Sequence, residues 1–472
     1  MNSPGVYLNL LGGQALAQAL AQAYRRPLGK CAVSARQASA CRGRPDSDRD
    51  RPYGRTDRLS QESQMHVGSR RYEVAVVAIL CLVYSVVNFE FLGVNYLLPF
   101  IVPALKLTNG ELGAVVSAFW IPFGVSSYLT GRLADKWGRR QRMLVVMLVL
   151  FSGLSVVSGF ASSFGTLLAA RALMGLLEGP VLPLAQSIVA LESSAQRRGA
   201  NMGIVQTLGA GVLSGFIAPL ILVNLAANHG WRAGFFLVAV PGLICAALLA
   251  AFVREPVAVT RAGAAIETGA TPGFGQILRT KNIWLCALLS LFFVAHSLIG
   301  LGYLPLFYLR SRHLLPDEMS ALMSVLGISS IVLGVLVPAV ADRVGRRPVA
   351  VFAGAFGALC PLAALYYEGP LSLLGILMFL GWAPVGASIL YMSTIPSESV
   401  PPDSISGAIG LTFAVGTMVG GGCGPSLAGF AADYWGLKVT LVIEACTAIC
   451  MGLVALGLNE TLKKPGSPVY PM

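Results

Sequence analysis

LADKWGRR, residues 133–140, recurs as VADRVGRR at 340–347, which sets Asp135 against Asp342 and Gly138 against Gly345 at an offset of 207 residues. The same offset carries NYLLPF (95–100) onto GYLPLF (302–307), and at 206 Gly215 and Pro219 fall on Gly421 and Pro425. Matches repeated at one spacing mark an internal duplication, and a duplication decides the fold before any single residue does. The duplicated chain is strongly apolar: 55% of its 472 residues are hydrophobic and 12% charged, with a mean hydropathy of +0.70. Soluble domains carry about 45–50% apolar and about 25% charged residues. The chain is an integral membrane protein built from two copies of one unit.

Twelve apolar runs approach the ~20 residues a spanning helix needs: 73–104, 110–131, 142–160, 164–190, 200–224, 231–253, 282–306, 317–340, 347–367, 370–395, 404–432 and 436–458. The expected fold is all-α, a polytopic membrane protein of twelve transmembrane helices in two pseudo-symmetric six-helix halves. The halves are expected at 73–253 and 282–458, joined by a cytoplasmic loop at 254–281, with a basic N-terminal tail at 1–72 and a cytoplasmic tail at 459–472. Arg132, Lys136, Arg139, Arg140 and Arg142 crowd one short loop and Arg343, Arg346 and Arg347 another. Basic loops stay on the cytoplasmic side, so both termini are expected there, with the bacterial inner (plasma) membrane as the location. Residues 1–64 mix arginines with Ala, Ser, Asp and Pro and lack the apolar content to fold. They read as a disordered tail or as the product of a start placed ahead of Met65, a targeting presequence being the minor alternative.

The formal charge of +12 collects in that tail and in the loops, which fits membrane orientation and not a nucleic-acid partner. Seven of the nine cysteines stand singly in apolar stretches, without metal or disulfide spacing. Phosphate-binding loops, metal-spaced clusters and nucleophile triads are absent from the sequence, so no enzyme activity, cofactor or metal is expected. A parallel repeat of six spans places a transport site near the midplane between the halves.

GRLADKWGRR (131–140) resembles the signature loop between the second and third helices of the major facilitator superfamily, and its second-half copy matches that superfamily's duplicate. The resemblance covers about residues 70–460. Asp135 stands at the partially negative end of its helix, where a carboxylate needs a partner such as Arg139 or another helix N-terminus. Gly131, Asp135, Gly138, Arg139 and Arg140, with Asp342, Gly345, Arg346 and Arg347, are therefore expected to form a conformational latch.

RALMGLLEGP (171–180) puts Arg171 and Glu178 on nearly one face of the fourth span, ~10.5 Å apart along it. Ionisable groups inside a membrane face a cavity or a partner. The Arg-x-x-x-Gly-x-x-Glu-Gly pattern of 171–179 resembles the fourth helix of the anion:cation symporter family, in which the arginine binds an organic anion and the glutamate carries the coupling proton. An anion at Arg171 would cancel the charge that favours ionised Glu178, and so favour uptake of a proton there. A permanent ion pair that only fixes helix packing is the competing reading. Glu90 is a second expected proton-coupling residue or, alternatively, a permanent neutraliser of Arg171; where the family has a following arginine this chain has Phe91, which points toward a monocarboxylate or an aromatic acid. By resemblance Asn95, Tyr96, Gln186, Tyr303 and Tyr391 line the substrate cavity, although each is as suited to bonding a neighbouring helix. His296 reads as structural or as a relay, and Glu444, in a peripheral span, stands outside the site.

The expected function is secondary active transport of a small organic anion, a carboxylate such as an aromatic or sugar acid, by proton symport with alternating access; the alternative is proton-coupled efflux of drugs or metabolites, which the glycine-rich stretch 415–429 favours. The expected partners are the anion, a proton and membrane lipid, with the protein a monomer.

Overall fold

The computed structural model describes residues 70–194, 197–255, 279–401 and 404–462. The tail with Met65, most of the 254–281 loop and the last ten residues lie outside the described residues. Twelve helical spans follow one another: α1 (Arg70–Leu105), α2 (Asn109–Ser117 and Trp120–Trp137), α3 (Arg140–Gly159), α4 (Phe164–Glu192), α5 (Arg198–Gly211, Val212–Ile217 and Ala218–His229), α6 (Arg232–Phe252), α7 (Lys281–Arg310), α8 (Pro316–Val344), α9 (Arg346–Tyr366), α10 (Leu371–Glu398), α11 (Ile405–Ala414, Val415–Gly421 and Gly422–Trp435) and α12 (Lys438–Ala455). The all-α, twelve-span expectation is met. Eleven of these helices have the length and apolarity to cross a membrane. The exception is α2, which is interrupted at Ala118–Phe119 and carries Arg132, Asp135 and Lys136 in its last turns.

Local chemistry sets the helix ends. Thr108 and Ser163 open α2 and α4 with capping boxes, each side chain accepting the N–H three residues on. Gly138 closes α2 in the left-handed conformation at φ 62°, where a side chain would clash. The middle segments of α5 and α11 are wide π-type turns, a geometry frequent at functional sites.

Within each half the third span packs on the sixth, α3 on α6 and α9 on α12, and one device pins both pairs. Glu255, just past α6, accepts the N–H groups of Gln141 and Arg142 at 3.0 and 3.1 Å. Glu460, just past α12, accepts those of Arg346 and Arg347 at 2.9 and 3.0 Å. Each carboxylate satisfies orphan donors at a partially positive helix start.

The halves meet along α1–α7, α5–α8 and α2–α11. Gly327 of α8 lies so close to α5 that a Cβ there would fall 2.1 Å from the Gly215 carbonyl. At the end of the bundle away from the arginine loops, Asp433 of α11 accepts the N–H of Asn109 at 2.8 Å and of Gly110 at 2.9 Å. Tyr303 of α7 donates to the carbonyls of Asn109 and Pro425, both at 3.0 Å. That end is shut by hydrogen bonds between halves.

Candidate functional site

Arg171 is placed by the glycines that follow it. A Cβ on Gly175 would sit 2.2 Å from the Phe119 carbonyl and one on Gly179 2.3 Å from that of Phe123, so α4 lies directly on the backbone of α2. Ser126 bonds the Gly175 carbonyl at 3.3 Å across the same contact. This approach turns Arg171 and Glu178 toward α1. There the Arg171 guanidinium donates through one nitrogen to both oxygens of Glu90, at 3.0 and 3.1 Å. The Glu178 carboxyl lies against that of Glu90, with its Oε1 unpartnered. All three are buried: Glu90 is 2%, Arg171 3% and Glu178 3% exposed.

The group therefore holds two carboxyls around one guanidinium. With both ionised it carries a net negative charge inside the membrane; one proton shared between the carboxyls makes it neutral. Two carboxylates in contact disfavour simultaneous ionisation, and a buried net charge is costly. The arrangement has the stoichiometry to hold one proton. In this conformation Glu90 also occupies the anion-facing side of Arg171, which is the neutralising role that was one alternative for Glu90.

One aromatic ring covers the guanidinium and leads into a cluster. Phe119 lies 4.9 Å from its centre, and Phe91, Trp120 and Phe123 continue the cluster with centroid separations of 5.0 to 5.6 Å. Phe91, standing where the resembled family has an arginine, supplies one face of this cluster.

Beside it, between the halves, lies a cavity of about 260 Å³ lined by Asn88, Leu92 and Tyr96 of α1, Gly211 and Gly215 of α5, Phe293, Ser297 and Leu301 of α7, Leu326, Gly327, Ser330 and Ile331 of α8, and Trp382 and Val385 of α10. None of these residues is charged. Asn88, Leu92 and Tyr96 share one face of α1, and Glu90, two residues from Asn88 and from Leu92, is turned away from it; Glu90, Arg171 and Glu178 do not line the cavity. A larger recess of about 640 Å³, between α8 and α10 near Asp317 and Glu318, belongs to one half alone and lacks convergent polar groups apart from that acidic end.

Of the residues expected along the cavity, Tyr96 is there. The others do not line this cavity and make hydrogen bonds elsewhere. Asn95 bonds the Phe91 carbonyl at 3.2 Å on its own helix, and Gln186 bonds the Met202 carbonyl at 3.1 Å. Tyr391 bonds the Pro384 carbonyl at 2.9 Å, and Tyr303 holds the shut end of the bundle. Sequence reasoning missed Asn88, Ser297, Ser330 and Trp382.

In the latch, Gly131 lies in α2 and the side chain of Asp135 is outside what is described. Arg139 is exposed and Arg140 half-buried. In the second copy Arg346 pairs with Asp342 one turn before it and with Glu398 of α10 at 3.2 Å. Gly345 adopts φ 122°, and Arg347 donates to the Leu456 carbonyl at 2.6 Å. All these contacts are inside the C-terminal half.

A family model described as Major Facilitator Superfamily matches residues 80–421 and 303–469. The chain belongs to the major facilitator superfamily. The cis,cis-muconate transport protein of Acinetobacter baylyi is 28% identical over 426 residues, covering 86% of this chain and 99% of that protein. The probable sulfoacetate transporter SauU of Cupriavidus necator is 28% identical over 180 residues, which span 38% of this chain and 41% of that relative. The crystal structure of a D-xylose-proton symporter superposes with a TM-score of 0.69 at 16% identity, across 83% of this chain and 99% of that one, a likeness of fold. This member of the superfamily is a multi-pass membrane transport protein, not an enzyme, and relatives named for organic acids agree with its likeness to the anion:cation symporter type.

Proposed function

We propose that this transporter carries a small organic anion together with a proton by alternating access. The observation that carries the reading is the Glu90–Arg171–Glu178 group, two carboxyls on one buried guanidinium within the N-terminal half; the cavity between the halves has an uncharged lining. An arriving carboxylate competes with Glu90 for Arg171. Glu90, once displaced, keeps its place against Glu178, and the pair holds a proton between them. Anion and proton thus load together, and linkage requires each to tighten the other. The cavity lies below the ~300 Å³ at which ligand pockets commonly begin, which favours a small substrate. The rings of Phe91, Phe119, Trp120 and Phe123 favour an aromatic or unsaturated acid, and relatives named for muconate and sulfoacetate support the anionic class.

The arginine loops orient the molecule with 132–142 and 343–347 in the cytoplasm, together with both termini and the loop between the halves, 73–253 and 282–458. The location is the bacterial plasma membrane, and the working unit is a monomer. Asp433 and Tyr303 then close the outer face.

The test reconstitutes the protein in liposomes and measures uptake of benzoate, cis,cis-muconate and glucuronate with and without an inward proton gradient. Gradient-driven accumulation of at least one acid is expected, abolished in Arg171→Ala and uncoupled from the gradient in Glu178→Gln. Unchanged accumulation in Glu178→Gln refutes the proton assignment. Exchange of cationic dyes with no acid uptake would replace it with the efflux reading.

A further inference from the structure

A second cluster of titratable groups lies in the C-terminal half, away from Arg171. Glu444 of α12 and His296 of α7 are both 0% exposed. The His296 Nδ1 is 3.1 Å from the Glu444 main-chain carbonyl. A carbonyl only accepts, so Nδ1 carries the hydrogen and Nε2 of the neutral ring is left as a base. That Nε2 has no hydrogen-bond partner, and neither oxygen of the Glu444 carboxyl has one.

Gly300, one turn beyond His296 on α7, shows how the carboxyl is housed. A Cβ there would fall 2.7 Å from Glu444 Oε1 and 3.2 Å from the Trp382 ring. Trp382 also stacks against His296, with centroids 5.8 Å apart. The acid, the base and the indole share one contact between α7, α10 and α12. Trp382 and Ser297, the neighbour of His296, both line the central cavity. The indole is pinned from the cavity side by its hydrogen bond to Ser330 of α8 at 3.1 Å. One side chain therefore separates the buried pair from the space between the halves.

Polar groups buried without partners are costly, and most when charged. Tyr308 of α7 and Cys360 of α9 are the other titratable groups in electrostatic reach of Glu444. From α11 no titratable side chain bonds it, and no arginine or lysine pairs with it among the described residues. Nothing in this packing compensates an ionised Glu444, whereas a proton on it removes the charge.

We propose that Glu444 and His296 form a second proton-binding site, which exchanges one proton with the central cavity when Trp382 moves as the halves rock. Nε2 and the carboxyl do not bond each other in the shut state, so the same movement must bring them within reach; the proton then leaves a Glu444 oxygen, passes to His296 Nε2 and from there to water in the cavity, and no other bond is made or broken. Under the symport reading above, on which this consequence alone rests, the site adds one proton per anion and makes transport of a monocarboxylate carry net positive charge.

Infrared pH-difference spectra of the protein in phosphatidylcholine vesicles test the site without any substrate. The wild type is expected to show a protonated carboxylic-acid band that titrates with pH and is missing in Glu444→Gln. In His296→Gln the midpoint of that band is expected to move by about one pH unit, a tenfold change in proton affinity. A band lost in Glu444→Gln that never titrates while the protein stays folded marks a fixed structural acid and overturns the proposal. So does a Glu444→Gln spectrum identical to wild type, or an unmoved midpoint in His296→Gln. If Glu178→Gln leaves acid accumulation unchanged while the Glu444 band titrates, the symport reading falls and the second site stands.

Discussion

Replacing Asp433 by asparagine keeps the shape of the outer closure and removes its charge. The carboxylate accepts two N–H groups from the first turn of α2, at 2.8 and 2.9 Å, across the seam between the halves. A hydrogen bond to a charged acceptor contributes about 1.5–3 kcal/mol net, and the lower end applies at this exposed position, where solvent screens the charge. Two such bonds give about 3 kcal/mol, and the single acceptor left to asparagine recovers about 1 kcal/mol. The loss of about 2 kcal/mol shifts the balance between shut and parted outer ends roughly 30-fold toward parted. Ser117 reports the shift: it is 5% exposed and its hydroxyl accepts the Ser426 N–H at 3.3 Å on the same seam. With Cys423 and Cys446, the exposed thiols among the described residues, and also Cys31 and Cys41 replaced by serine, Ser117→Cys should react with a membrane-impermeant maleimide about 30-fold faster in Asp433→Asn than with Asp433 intact. A change below about threefold, or under ~0.7 kcal/mol, refutes the reasoning.

Three further outcomes follow from the same geometry. Gly327→Ala puts a methyl 2.1 Å from the Gly215 carbonyl, so the α5–α8 seam cannot shut; faster Ser117→Cys labelling and slower transport are expected, with the folded fraction unchanged by size-exclusion chromatography. Gly175→Ala drives a methyl to 2.2 Å from the Phe119 carbonyl, and thermal unfolding should report a loss of about 1–3 kcal/mol, typical of overpacking, together with lost anion binding. Burial of Glu460 raises its pKa, but N–H groups of Leu462, Arg346, Arg347 and Thr461 outweigh that and hold the carboxyl below the usual range. Its contribution is then fully present above the ordinary glutamate value of ~4.3 and is lost as pH falls through the lower folded value. Melting curves of wild type and Glu460→Gln should differ at neutral pH and converge in acid.

The spans were legible because length and apolarity suffice to define a membrane helix, and the halves because LADKWGRR and VADRVGRR survive at one offset. Arg171, Glu90 and Glu178 were legible because charge inside a span is expensive and so conspicuous. Neutral polar residues carry no such signal. Asn95, Gln186, Tyr303 and Tyr391 differ from Asn88, Ser297 and Ser330 only in which neighbour each meets, and that depends on helix rotation and on the π-type turns of α5 and α11. Trp382 sits in an apolar run like many core residues. The outer closure did leave a trace: ADYWG at 432–436 echoes ADKWG at 134–138. Both segments end at a glycine of positive φ, 62° at Gly138 and 82° at Gly436. A search at the 207-residue offset passes over this echo, because it relates the C-terminal ends of the second and eleventh spans, which lie at opposite ends of the bundle.

Among the described residues Glu255, Glu460 and Asp433 each accept two N–H groups at the start of another helix, and their placement separates what stays rigid from what moves. Glu255 and Glu460 stand 205 residues apart, as do the N–H pairs they accept, at Gln141–Arg142 and Arg346–Arg347. Each ties the sixth span of a half to the third span of the same half, so rocking the halves leaves both intact. Asp433 makes the same kind of bond pair to Asn109 and Gly110 but joins opposite halves, so opening the outer face must break it. The charge inside the membrane divides differently. Arg171 and Glu178 have Met378 and Val385 at the duplicated positions, so this charge pair stands in the first half without a duplicated counterpart. The second half holds Glu444 and His296 instead, with no buried arginine paired to them. Duplication fixed the frame, and the chemistry then diverged: one half retains an arginine that an anion can contest, the other an acid and a base that only a proton can satisfy.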